Sequence, residues 1–452
     1  MKRISAFALA LLAGPALADN NQTDIDISNF ANSVLEDLNA DEPFDAIRDY
    51  VQEAQDLEER RTEGRLGSSD AFKSFEDIAN ENGFRTEKHQ VVTDDGYILG
   101  IYRIPGALSE QNDEEPKPVV LLQHGVECDM MFWIFNRPEV APAFILARAG
   151  YDVWLGNNRG NRWSEGHTSL SSKKKEFWEF SWEEMGTHDT PAVIDYILDK
   201  TGFSKINYIG HSEGTSQIMA GASLIPDYYK EKLNLAVLLA PPAGMSNNSV
   251  MALRIMSIKA NRIIIENTLN VIHLWDILPY NFLTTGVASA FCALFNGKLC
   301  NMIMAIFMDE DPDIDYTERY DMYMSNLPAG AGYRDLLHYG QLMHHKEDTF
   351  RRYDLDSKKK NKEKYGQDTP PEYDLSLLDF PIAVFSGSKD LLADPKDVAW
   401  TVSQFQPDNV VFNHEYYLGH MSFGIAKDMS WFEVDLMAIL NHYNDKCDAK
   451  TQ

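Results

Sequence analysis

The chain has 452 residues, long enough for two or three average domains or for one large core that carries an insertion. A hydrophobic content of 44%, with 11% aromatic residues, supplies ample material for a buried core and excludes global disorder. The formal charge of −28 argues against nucleic acid or an anionic membrane as a partner, because both would repel it.

The opening MKRISAFALALLAGPALA reads as a signal peptide over residues 1–18. Lys2 and Arg3 form its charged end, residues 6–13 its apolar stretch, and Ala16, Leu17 and Ala18 an A-x-A cleavage site. The apolar part is too short to span a bilayer, and no later run reaches spanning length. The expectation is a mature chain without a transmembrane segment, routed through the secretory pathway and either secreted or lysosomal/vacuolar. Residues 19–70 form an acidic N-terminal segment without a dense apolar run, a tail or a propeptide. Asn21 and Asn247 open N-glycosylation sequons. Four cysteines are too few for a disulfide scaffold, although Cys292 and Cys300 are close enough in sequence to close a small loop in an oxidising compartment. No Cys/His spacing matches a zinc site, so no metal is expected.

After residue 70 the texture changes. "EKHQVVTDDGYILGIYRIPG" predicts a hairpin around Asp94, Asp95 and Gly96. "PVVLLQHGV" is a wholly apolar run, suited to a strand buried on both faces. "APAFILARAGYDVWLGNNRGN" predicts a helix stopped at Gly150, then a second buried strand. "HDTPAVIDYILDKTG" is a helix with Pro191 near its start and Gly202 after its end. Strand "INYIG", helix "TSQIMAGASLI" and strand "LAVLLAPP" follow. Strands alternating with helices predict an α/β fold, a mostly parallel central sheet covered by helices. The alternation stops near residue 243, and 243–374 reads as a helical insertion rich in Met, Ile and aromatics. "FPIAVFSGSKD" and "NVVFNHEYYLGH" then resume short strands. The core therefore divides into 71–242 and 375–452.

Between strand and helix stand Gly210, His211, Ser212, Glu213 and Gly214, a GxSxG pattern. The pattern alone is weak, but its place on a strand-to-helix turn is what a nucleophile elbow requires. Ser212 is the candidate nucleophile. A serine needs a base, and the base needs an acid to fix its tautomer. Downstream, "SKDLLADPKDV" offers Asp390, Asp394 and Asp397. Asp390 is nearest the carboxyl end of its strand, where sites form in such sheets, while the other two suit the start of a helix. "NHEYYLGHMSF" offers His414, on a strand, and His420, in a loop able to reach across the sheet top. His420 is the candidate base, and His211 is expected to pack into the core. Two backbone N–H groups are needed for the oxyanion, and Glu213 and Val126 are placed to supply them.

These residues, with "DDGYILGIYRIP", "LLQHG", "ARAGYDVWLGNNRGNRWS", "FWEFSWEEMGTHDTPAVIDYIL" and "PPEYDLSLLDFPIAVFSGSKDLLADPKDV", resemble the acid lipase family of gastric and lysosomal lipases, which are α/β-hydrolases. The likeness runs from about residue 75 to 440. It implies hydrolysis of long-chain esters, typically triacylglycerols or sterol esters, at a lipid–water interface. By position it implies Ser212 as nucleophile, Asp390 as acid, His420 as base, and Val126 and Glu213 as oxyanion donors. It also implies that 243–374 is a cap and lid, and that Cys292 and Cys300 form its disulfide. Such a two-step acyl transfer requires no cofactor. A soluble carboxylesterase, an acyltransferase and a non-catalytic lipid-binding homologue are the alternatives.

Three departures stand out. The elbow of the family usually has Gln where this chain has Glu213. The loop after the base usually reads His-Leu-Asp-Phe, whereas here it is His420, Met421, Ser422 and Phe423. The acidic segment before residue 70 has no counterpart. A protonated Glu is close in shape to Gln, and burial favours that form. Glu213 is therefore expected to be neutral in the active protein, with activity falling as pH rises.

Overall fold

A computed structural model of the chain describes residues 70–71, 73–109, 116–248, 250–280, 285, 309–344 and 347–444. The expected signal peptide, almost all of the acidic segment, Asn21, Cys292 and Cys300 lie outside the described residues.

The strands are β1 (Glu87–Val92), β2 (Tyr97–Ile104), β3 (Val119–Gln123), β4 (Asp152–Leu155), β5 (Gly166–His167), β6 (Ile206–His211), β7 (Leu233–Leu239), β8 (Asp276–Ile277), β9 (Ala331–Gly332), β10 (Ile382–Gly387) and β11 (Val410–Tyr416). Among the described residues one sheet has the order β1-β2-β4-β3-β6-β7-β10-β11, with β5 beside β2. The β1–β2 hairpin joins β4 in antiparallel fashion, and every pair from β4 to β11 is parallel. Position in the sheet follows composition. The apolar runs of β3, β4, β6, β7 and β10 are buried at every residue, as a sheet covered on both faces requires. Both outer strands, β1 and β11, keep polar residues exposed.

The covering helices include α1 (Phe75–Glu81), α2 (Pro142–Arg148), α3 (Thr190–Thr201) and α4 (Glu213–Leu224). Each sequence stop acts as expected: Gly150 follows α2 with φ of 89°, and Gly202 caps α3 with φ of 77°. One turn was not foreseen. Residues Met185–Asp189 form a π-helical turn before α3, and its Gly186 presses on α4. Nearby, buried Arg159 donates to Asp189 at 2.9 Å and to Asp95 at 2.7 Å, tying this turn to the β1–β2 hairpin. A lone buried guanidinium would be costly, and the two carboxylates offset that cost.

Among the described residues between β7 and β10, no strand joins the central sheet. The described residues there form α5 (Met251–Ser257), α6 (Lys259–Ile272) and α7 (Tyr333–Leu342), with β8 and β9 as a two-stranded sheet. Beyond β10, α8 (Pro395–Gln404) and α9 (Met437–Asn444) return to the core. Trp133, Trp154, Trp178 and Trp182 are fully buried at the heart of the packing. No helix among the described residues is long and apolar enough to cross a membrane.

Candidate active site

Ser212 sits between the last residue of β6 and the first of α4, with φ of 51° and ψ of −118°. A side chain in that backbone region is strained, and the surrounding packing must enforce it. The two elbow glycines show how. A Cβ on Gly210 would stand 2.8 Å from the Gly214 carbonyl carbon, and one on Gly214 would stand 2.5 Å from the Gln123 carbonyl oxygen. Only glycine lets β6, α4 and β3 approach this closely. The Ser212 amide donates to the Leu239 carbonyl at 2.9 Å, which ties the turn to the end of β7.

The fold brings Ser212, His420 and Asp390 into one hydrogen-bonded line. His420 Nε2 lies 2.9 Å from Ser212 Oγ, and His420 Nδ1 lies 2.8 Å from Asp390 Oδ2. All three are buried. A carboxylate can only accept, so Nδ1 carries the ring proton and Nε2 is left free to accept from the serine. Asp390 is itself oriented: its Oδ1 accepts from the Leu392 and Ala393 amides, both at 2.8 Å.

The other candidates fall elsewhere. Asp394 caps α8 by accepting from the Lys396 amide at 2.8 Å. Asp397 accepts from Asn247 Nδ2 at 2.6 Å, so the side-chain amide of that sequon is already engaged. His414 is exposed on β11. His211 is buried, stacks on Phe132 and lies 2.8 Å from the His420 carbonyl oxygen, which steadies the loop carrying His420. Burial holds His211 well below the usual imidazole range.

Glu213 contributes the first amide of α4, which has no acceptor within its own helix. Val126 follows Gly125, whose position is so close to Ser212 that an added Cβ would stand 3.0 Å from the serine Cβ. Buried His124 lies with Nδ1 2.7 Å from the Gly125 carbonyl oxygen. Its Nε2 accepts from the Asn158 amide at 3.2 Å, so Nδ1 is the donor. Burial pushes His124 down to about 4, which keeps it neutral. In a planar trans peptide the C=O and N–H point opposite ways, so holding the Gly125 carbonyl also aims the Val126 amide.

Several partners escape sequence reasoning. Asn158 Nδ2 donates to Glu213 Oε1 at 2.5 Å, and Asn158 Oδ1 accepts from Gln217 at 2.9 Å and from Gln123. Asp309 accepts from the Met421 amide at 3.3 Å and lies against Gly419, bracing the loop of His420 from the segment before β10. The carboxyl of Asp335, from α7, lies against that of Glu213. Polar residues flanked by apolar ones in the sequence were the available signal, but nothing local tells which strand end they meet. Away from the line, Asp94, Asp95 and His188 cluster at the surface. Asp95 is already paired with Arg159 there, and His188 with Asp94.

Comparison with known proteins fits this geometry. A family described as the alpha/beta hydrolase fold matches residues 118–423, and a partial alpha/beta-hydrolase lipase region matches residues 75–137. A gastric triacylglycerol lipase of Mus musculus is 37% identical over 371 residues, covering 81% of this chain and 91% of that protein. Lipase member K of Mus musculus is 35% identical, covering 80% of this chain and 89% of that protein. A solved structure from Sulfolobus solfataricus aligns with a TM-score of 0.54 at 12% identity, over 80% of this chain and 95% of that one, a likeness of fold alone. With one family spanning most of the sheet and these relatives running along four-fifths of the sequence, the chain belongs to the acid lipases of the α/β-hydrolase fold.

Proposed function

We propose that the protein is a lipase that hydrolyses carboxylic esters of neutral lipids, triacylglycerols or sterol esters, through an acyl-enzyme on Ser212. The observation that carries this reading is the buried line from Ser212 Oγ through His420 to Asp390 on a strained elbow. His420 Nε2 takes the serine proton as Oγ attacks the ester carbonyl, and the Oγ–carbonyl bond forms. Charge builds on the carbonyl oxygen, where the Val126 and Glu213 amides stabilise it. His420 then hands its proton to the departing alcohol. Water repeats the sequence on the acyl-enzyme, releasing the fatty acid and restoring Ser212. Asp390 keeps the imidazole in the tautomer that can accept, and favours the imidazolium formed in both steps.

A water-insoluble substrate requires a surface to meet it. The 243–374 segment, acting as cap, supplies an apolar one on α6 and beyond: Ile264 and Val271 are 63% and 78% exposed, with Ile263, Leu278 and Tyr280 also exposed. A lipid–water interface would cover this face. The leader-like residues 1–18 support a route through the secretory pathway to the outside or to a lysosome or vacuole. A disulfide between Cys292 and Cys300 would brace the cap.

The test is hydrolysis of triolein, cholesteryl oleate and a short-chain ester across pH 4 to 8. A rate that climbs once the substrate exceeds its solubility and forms droplets is expected. Smooth saturation on the short ester with none on triolein would make the protein a carboxylesterase. Release of no acid from any of the three would overturn the reading.

A further inference from the structure

We propose that Asp335 is a positioning residue for this reaction: it holds the side chain of Glu213, and with it the first amide of α4, through a proton that the two carboxyl groups share. Both residues are buried, Glu213 at 1% and Asp335 at 0% exposure. One oxygen of each is satisfied in the ordinary way. Glu213 Oε1 accepts from Asn158, and Asp335 Oδ1 accepts from the Trp182 amide at 3.0 Å. The other oxygen of each, Glu213 Oε2 and Asp335 Oδ2, is buried without a donor. The two carboxyl groups lie against one another. As two carboxylates they could form no hydrogen bond there, since both only accept. One proton between them satisfies both orphaned oxygens and removes one of two adjacent buried charges.

The surroundings favour keeping that proton. Burial is the largest cause, pushing Asp335 up to about 6 and Glu213 well above its usual range. Glu184 adds its negative charge against Asp335, and Glu127, itself pushed up by burial, would repel an ionised Glu213 once it lost its own proton. The Gln217 amide, which donates to Asn158 Oδ1 at 2.9 Å, acts in the opposite direction on Glu213. Cys128, Tyr208 and Tyr339 also face Glu213, and burial pushes all three up, so they stay neutral. The shared proton therefore resides on Glu213, with Asp335 the first to ionise.

Geometry links this pair to the elbow. Tyr339, one turn after Asp335 on α7, donates to Ser216 Oγ at 3.1 Å, one turn after Glu213 on α4. Each helix thus offers one face to the other. When rising pH removes the shared proton, the Tyr339 link still seats α7 on α4, and the loss is confined to the first turn of α4. That turn carries the oxyanion amide, so the consequence for turnover rests on the function proposed above.

The test compares the parent with Glu213→Gln, Asp335→Asn, the double variant and Asp335→Ala. In the first three an amide N–H replaces the proton at every pH. On a soluble short-chain ester the alkaline fall in kcat/KM should move up by about one pH unit or more in those three. One unit past the parent's midpoint that is a rate roughly fivefold above the parent's, rising to about tenfold if the fall is removed altogether. Asp335→Ala should lower kcat more than KM across the range, and Asp335→Asn should restore it. Thermal melts from pH 5 to 9 give a readout independent of hydrolysis: the parent should lose stability with rising pH faster than the double variant. If the melts differ but no protein hydrolyses esters, the proposed function fails and the pair stands. An unmoved alkaline limb in both single amide variants, or parallel melts for parent and double variant, would overturn the pair.

Discussion

Asp390 controls which nitrogen of His420 is free. Its Oδ2 accepts from Nδ1 at 2.8 Å while two amides hold Oδ1, so the carboxylate cannot turn away. Asn at this position can donate to Nδ1, which would move the ring proton to Nε2 and aim an N–H at Ser212. Asp390→Asn is expected to lower kcat roughly 1,000- to 10,000-fold with little change in fold, read by steady-state kinetics and circular dichroism. A loss below tenfold would mean that another group sets the tautomer. Ser212 and Asp390 were legible because each follows a strand buried at every residue, and His420 because it lies in the loop after the last strand, where the order along the chain limits the choice. The fold brings the same three side chains into hydrogen-bond distance. Asp335 was not legible. It stands third in a helix, where an acid reads as a favourable response to the dipole, and its partner lies 122 residues away on another element.

Elements were legible in proportion to their length and to the strength of their stops. The buried strands are unbroken apolar runs, and α3 is bracketed by Pro191 and by Gly202. The two-residue strands β8 and β9 are too short for any periodicity to register. The π-helical turn Met185–Asp189 left no local signal either, and it lies where α4 crosses closely. At that crossing, a Cβ on Gly221 would stand 2.2 Å from the Gly186 carbonyl oxygen, and backbone cannot swing aside as a side chain can. Gly221→Ala should therefore cost about 1–3 kcal/mol by overpacking, despite the better helix propensity of Ala. The denaturant midpoint reads this, and an unchanged or raised midpoint would show slack between the two helices. Because α4 begins at the elbow, turnover should suffer with it.

At the scale of the molecule, the alternation of strand and helix, followed by its interruption, conveyed an α/β core with an inserted segment. What it could not convey is how many carboxyl groups that insertion buries. Burial pushes Asp335 up to about 6, Asp315 to about 7 and Asp276 to about 8, and pushes Glu127, Glu213 and Asp309 well above their usual range. These groups bind protons in the folded state that the unfolded chain would release. Their contribution to stability is complete below their unfolded pKa of about 4 and is lost as pH rises through the folded values. Arg partners hold Asp70, Asp95 and Glu183 low, and these act in the opposite sense, favouring the fold until pH falls through their folded values. The net charge of −28 adds self-repulsion on the alkaline side. The melting temperature should thus be higher at pH 5 than at pH 8 by calorimetry, and the reverse order would contradict the burial of these acids as neutral groups.

The proposed acyl transfer depends on one side chain doing nucleophilic chemistry. The most direct measurement is fatty-acid release from a triolein emulsion by the parent and by Ser212→Ala, both first shown to melt cooperatively at similar temperatures. The parent should release acid continuously, and Ser212→Ala should release none above the buffer rate. Turnover retained in Ser212→Ala would contradict Ser212 as the nucleophile.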